Sequence, residues 1–165
     1  MRYVDDENHI NMCRSVYVDG SFRNGIISGA IIFVGDEKIS TEEFYFSVRN
    51  DQLSKHRNIS GEILATMYAI YYAVENSIHC LKIYHDYEGI GKWASDEWKA
   101  KTEIAHLYKS FLAANRSVTC QFIKVDAHSG DKYNSRADTL ARFALNTLKS
   151  NIDIEKFMNH LSQLY

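Results

Sequence analysis

Ser15-Val16-Tyr17-Val18-Asp19-Gly20-Ser21 is the stretch on which the reading of this chain turns. Val16 and Val18 flank Tyr17 in a short, β-prone apolar run that ends on a carboxylate. Gly20 and Ser21 then let the backbone turn. Such a run reads as a buried central strand that delivers one acid, Asp19, to the end of a sheet. A lone aspartate there is ordinarily a turn residue or a helix cap. Three more carboxylates, Glu62, Asp86 and Asp138, fall where the same sheet could gather them.

Outward from that strand, residues 20–28 read as a loop with Arg23, Asn24 and Gly25, and residues 30–34 as a second apolar strand. Gly35-Asp36 marks a turn, and a third strand follows with Phe44, Phe46 and Val48 on one face and Tyr45 and Ser47 on the other. Three strands on short turns predict an antiparallel meander. Ser60 is expected to cap a helix in which Ile63, Met67, Ile70 and Val74 recur at helical spacing, with Glu62 in its first turn. Residues 80–85 alternate as a fourth strand that ends at Asp86. Residues 87–101 look helical but mixed, and Ile104, Leu107, Tyr108, Phe111 and Leu112 mark a clearer amphipathic helix. Residues 118–125 predict a fifth strand, and a helix lined by Ala137, Leu140, Ala141, Ala144 and Leu148 carries Asp138 in its first turn. Residues 1–14 read as a flexible lead-in, 15–150 as one α/β domain with helices on both faces of a mixed sheet, and 151–165 as an amphipathic helix packed on the domain or on a partner.

At 165 residues the chain suffices for one sizeable core. A net charge of −2 excludes a nucleic-acid binder acting through overall charge, so any such site must be a local basic patch. Cys13, Cys80 and Cys120 lack metal-ligand spacing, and Cys80 and Cys120 read as small buried thiols. No apolar run approaches the ~18 residues of a membrane span, and a reducing cytoplasm is the simplest setting.

Acids at strand ends and helix starts of one α/β sheet would collect where the connections diverge. Four converging carboxylates repel, and each is costly to keep ionised. Divalent cations resolve that repulsion, and oxygen ligands without a Cys or His set point to Mg²⁺ or Mn²⁺. A carboxylate-held metal pair can run in-line displacement at phosphorus.

In these residues the chain resembles a type 1 ribonuclease H over about 15–148. The matching pieces are Val18-Asp19-Gly20-Ser21, Asn58-Ile59-Ser60-Gly61-Glu62, Tyr84-His85-Asp86-Tyr87, and the run from Ala127-His128-Ser129-Gly130 through Asn134 to Ala137-Asp138. The spacing of His128, Asn134 and Asp138 is the most specific of them. Residues 86–93 look closest to bacterial members often fused to a viroplasmin-like domain, which residues 1–14 are too short to replace.

The resemblance implies the ribonuclease H-like five-stranded mixed sheet, a meander followed by βα units. It implies an endonuclease that hydrolyses the RNA strand of an RNA–DNA hybrid, leaving 5′-phosphate and 3′-hydroxyl ends. Asp19 would bridge two Mg²⁺ ions, with Mn²⁺ as a substitute; Asp138 would complete one site, and Glu62 and Asp86 the other. His128 would assist proton movement or product release. Gly20, Ser21 and Asn58 would meet the minor groove, with Asn134 also on the substrate side. Lys55 would hold a DNA phosphate, and Trp93 and Trp98 would line a channel for the DNA strand, with core packing as the alternative for both. The implied partner is the hybrid, with no membrane and a monomeric state. Arg57 and Ile59 depart from the family's usual residues beside Asn58, and the segment 92–103 is compact. Rival readings are a related Mg²⁺ nuclease such as a junction resolvase, a hybrid-binding module without activity, and a flavodoxin-like binder. The last lacks a phosphate-cradling glycine loop.

Overall fold

The structure, a computed structural model, describes residues 13–126 and 130–164. Residues 1–12 of the expected lead-in lie outside them. Strands β1 (Arg14–Arg23), β2 (Ile26–Phe33) and β3 (Glu42–Arg49) form an antiparallel meander. Strands β4 (Cys80–His85) and β5 (Thr119–Lys124) extend it in parallel, giving one sheet in the order β3-β2-β1-β4-β5. The helices are α1 (Asn58–Glu75), α2 (Gly89–Ala94), α3 (Glu103–Ala114), α4 (Lys132–Thr147) and α5 (Ile154–Ser162). A 3₁₀ turn, Leu53–His56, precedes α1. This is the five-stranded mixed sheet that the sequence predicts.

Alternation along the strands divides the core in two. Val16, Val18, Ile31, Phe33, Leu81 and Ile83 pack under α1 and α3, together with Phe157 and Leu161 of α5. Tyr17, Ala30 and Ile32 face Ala137, Leu140 and Ala141 of α4 on the other side. Phe44 turns toward Tyr68 and Tyr72 of α1, while Tyr45 meets Phe143 of α4, so the two faces read for β3 are the two faces observed. No helix among the described residues is long and apolar enough to cross a membrane.

The first strand is longer than its sequence suggests. Residues 20–23 and 26–28 are strand, not loop, because Asn24 (φ 51°) and Gly25 (φ 81°) make a two-residue turn between paired Arg23 and Ile26. Positive φ at both central positions matches the right-handed twist of the flanking strands, so the ladder runs up to the turn. Asp19 therefore stands inside β1. The ladder to β4 stops earlier, at Tyr17↔Tyr84, and that register carried two residues further sets Asp19 opposite Asp86.

Helix starts differ as well. Helix α1 begins at Asn58, ahead of Ser60, whose hydroxyl donates to the Leu53 carbonyl instead of capping the helix, so Glu62 lies in the second turn rather than the first. Asp131 caps α4, its Oδ1 accepting from the Tyr133 and Asn134 amides, so Asp138 lies in the second turn rather than the first. In the segment 87–101 only Gly89–Ala94 is helical. Cys80 is not a free thiol: Cys13 and Cys80 are joined by a disulfide, with Cα atoms 4.6 Å apart. They occupy the step of the β1–β4 register just before Arg14↔Leu81, where parallel neighbours on one face come close enough to bond. Cys120 remains a thiol, and burial pushes it up to about 12.

Candidate active site

Two glycines set the distance between α1 and the sheet. A β-carbon on Gly61 would collide with the Ser28 carbonyl oxygen and stand 2.9 Å from Gly20 Cα, and one on Gly20 would strike the Gly61 and Glu62 backbone. The first turns of α1 therefore lie directly on β1 and β2. Glu62 is brought over the strand beside Asp19. The close approach that Gly20 permits in this structure is to the helix.

Asp19, Glu62, Asp86 and Asp138 all line one open cleft of about 670 Å³, with Gly20, Asn134 and Arg142 among the other walls. Each acid comes from a different element: β1, α1, the residue after β4, and α4. Glu62 is buried, 4% exposed, and spans the end of β4. Its Oε1 accepts from the Asp86 amide at 2.7 Å and its Oε2 from the Tyr87 amide at 3.0 Å. Asp19 Oδ1 accepts from the Gly20 amide at 2.8 Å.

Electrostatics follow from that crowding. Burial raises Asp19 from 3.8 to about 7; the neighbouring Asp138 and Asp86 charges add to the rise, while the Gly20 amide and Arg142 oppose it. Burial likewise raises Glu62 from 4.5 to about 8, with Asp19 and Asp86 adding and the Asp86 and Tyr87 amides opposing. Two acids held above their ordinary range in one cleft are a common mark of a functional site. His85, the last residue of β4, is buried, with Nδ1 2.9 Å from the Tyr87 carbonyl, and desolvation lowers its pKa.

Among the described residues, no group of three or more His, Cys, Asp or Glu side chains is already gathered around one point where an ion could sit. Local partners explain this. Glu62 is turned onto two amides, and Asp138 pairs with Arg142, one helical turn further along α4. The donor set nevertheless suits a hard divalent cation, for it is all carboxylate oxygen and carries a repulsion that such a charge would relieve.

The other expected site residues are placed as follows. Asn134 is buried at the cleft wall, and Ser21 is half-buried on β1. Lys55 is exposed on the 3₁₀ turn. Asn58 begins α1. Trp93 is packed in the core against Tyr87, Trp98 and Tyr108, whereas Trp98 is half-buried at its edge. Their edge-on contact, centroids 5.8 Å apart, joins the segment after α2 to the core. His128 lies outside the described residues.

Two features were not read from sequence. Arg142 enters the cleft, and its spacing of four residues from Asp138 was the available signal. Asp131 also accepts from the Tyr17 hydroxyl at 3.0 Å and so ties the start of α4 to β1.

Fold and cleft together define an α/β domain of ribonuclease H-like architecture with its acids at the divergence of β1 and β4. The sequence profile of the RNase H family matches residues 12–146, and the chain belongs to that family. Its fold is similar to RNase H1 from the halophilic archaeon Halobacterium salinarum NRC-1, with a TM-score of 0.67 at 16% identity over 81% of this chain and 98% of that one. It is also similar to LC11-RNase H1 in complex with an RNA/DNA hybrid, with a TM-score of 0.63 at 17% identity over 82% and 98% of the two chains. Ribonuclease H of Wolbachia pipientis wMel is 38% identical over 64 residues, 35% of this chain. That match spans 43% of the relative's length, less than half.

Proposed function

We propose that this chain is an endonuclease that hydrolyses the RNA strand of RNA–DNA hybrids and leaves 5′-phosphate and 3′-hydroxyl ends. The observation that carries the reading is the gathering of Asp19, Glu62, Asp86 and Asp138 from four elements into one open cleft. Family membership and the likeness to a hybrid-bound RNase H1 support it.

These acids would hold a pair of Mg²⁺ ions, or Mn²⁺ in their place. Such a pair, when bound, activates water and stabilises the leaving oxygen at phosphorus. Asp19 and Glu62 must give up any proton to serve as ligands, so loading is favoured as pH rises toward about 7–8. Glu62, fixed by two amides, sets the floor of the cleft, and Asp138 reaches in from α4. His128 assists proton movement or product release.

Discrimination of the RNA strand rests on contacts to consecutive 2′-hydroxyls in a wide minor groove. Gly20, Ser21, Asn58 and Asn134 are the residues assigned to that side. Lys55 is assigned to a phosphate of the DNA strand, and Trp98 keeps part of its surface for the sugar–phosphate chain. The protein acts as a monomer in the cytoplasm, where reductants would open the Cys13–Cys80 bond. The test is incubation with labelled hybrid, RNA duplex, DNA duplex and a four-way DNA junction, with and without Mg²⁺. Cleavage confined to the RNA strand of the hybrid and dependent on the ion is the expected result; equal cutting of DNA duplex or of four-way junctions would point to another nuclease of the same fold.

A further inference from the structure

Arg142 is the one cation among the described residues that line the acidic cleft. It pairs through Nη2 with Asp138 Oδ2, one turn earlier on α4, with the acid on the N-terminal side as helix geometry favours. Both ends of the pair reach water: the arginine side chain is 61% exposed and the aspartate 36%. Exposed pairs of this kind bind weakly and exchange at little cost. Glu62 differs, since it is buried and held by two backbone amides that cannot leave. The cleft thus has one acid whose partner is fixed and one whose partner can let go. Lys92, on α2 beyond the cleft, is already engaged by Glu88 and Glu97.

We propose that Arg142 is an exchangeable counter-charge: it holds Asp138 while the cleft is free of ions, releases it when a divalent cation binds, and then turns to a phosphate of the nucleic-acid strand. The inference rests on the nuclease reading above. A guanidinium presents a planar fork that suits carboxylate and phosphate oxygens alike, so the same group can serve both partners in turn. Release is driven by charge: an ion on Asp138 cancels the attraction and repels the guanidinium. A long side chain rooted on the exposed side of α4 then projects over the cleft mouth, where the strand must pass.

The test is calorimetric titration of Mg²⁺ into the whole protein without nucleic acid, for the parent, Arg142→Gln, Arg142→Lys and Asp138→Asn. Binding of the hybrid is then measured in Ca²⁺ across a salt series. Arg142→Gln should bind Mg²⁺ roughly two- to five-fold tighter, since it loses a competitor worth about one exposed ion pair. It should bind the hybrid more weakly, with a log–log salt slope shallower by about 0.7–0.9. Arg142→Lys, which keeps the charge, should stay near the parent in both. A purely structural residue would weaken both ligands together or move neither, so opposite shifts are the signature. Unchanged or weaker Mg²⁺ binding in Arg142→Gln, or an unchanged salt slope, overturns the proposal while leaving the nuclease reading intact if the parent still cuts hybrid. A parent that takes up no Mg²⁺, gives the same trace as Asp138→Asn and cuts no hybrid sinks both.

Discussion

Replacing Asp19 by asparagine should raise the stability of the ion-free protein and abolish cleavage, and the gain should depend on pH in a defined direction. Asp19 carries a folded-state pKa of about 7 against an ordinary value of 3.8, chiefly because burial penalises its charge. A carboxyl raised in the folded state keeps its proton longer there than in the unfolded chain. Its stability contribution is therefore neutral below the unfolded pKa and becomes a growing cost as pH rises from about 4 to about 7. At about 1.4 kcal/mol per pH unit, the full cost reaches about 4 kcal/mol, and roughly half of that if water in the open cleft screens the charge. An asparagine side chain has no charge to desolvate, so the substitution should recover about 2–4 kcal/mol at pH 8, a rise in Tm of roughly 4–16 °C for a chain of this size. At pH 4.5 only about a quarter of the gain should remain, because the parent's own carboxyl is then mostly protonated in the fold. Thermal melts in a chelator at the two pH values, with hybrid cleavage in Mg²⁺ alongside, measure all of this. Added Mg²⁺ should also stabilise the parent at pH 8 more than the variant. A gain of equal size at both pH values, a loss of stability at pH 8, or near-parental turnover would refute the assignment of Asp19 as a desolvated, ion-seeking acid.

Two substitutions at proposed substrate-side residues and two perturbations of observed contacts have defined outcomes as well. His128→Ala should slow turnover by about 10- to 1000-fold without abolishing it, with hybrid binding in Ca²⁺ unchanged; inactivity as complete as that of Asp19→Asn would make the histidine a primary catalytic group. Gly61→Ala, whose new methyl meets the Ser28 carbonyl and Gly20, should cost about 1–3 kcal/mol in a denaturant melt and lower cleavage by shifting Glu62 away from Asp19. Thiol titration of the unreduced, denatured protein should find one of three cysteines, Cys120. Reductant should then lower stability by about 4 kcal/mol, as expected for opening a loop whose ends lie 67 residues apart; three thiols at the outset would count against the bond. Lys55→Ala should weaken hybrid binding and reduce its salt slope by about 0.7–0.9 with turnover at saturation little changed; an unaltered slope would move the DNA strand to another face.

The features legible in the sequence were local or repetitive. Alternation in β3, the helical spacing of Ile63, Met67 and Ile70, and the apolar run ending at Asp86 are short-range patterns, and each predicted its element. The order of those elements was enough for a mixed sheet with helices on both sides, and the acids could be named because each stands at a fixed offset from such a pattern. Boundaries were harder to read. Asn24-Gly25 carried a hairpin signal, yet the polar residues around it hid the extension of β1 past Asp19, and Ser60 resembled a cap although the helix had already begun at Asn58. Which residues meet across the chain was decided by tertiary packing. The β1–β4 register sets Asp19 opposite Asp86 and joins Cys13 to Cys80, and the contact of Gly20 with Gly61 seats Glu62 between them. Trp93 goes to the core because Tyr87, Trp98 and Tyr108 converge on it, and Arg142 enters the cleft because α4 lies across β1 with Asp138 facing the acids. These are close approaches between backbones and side chains distant in sequence, and they depend on how layers stack, which no local pattern records.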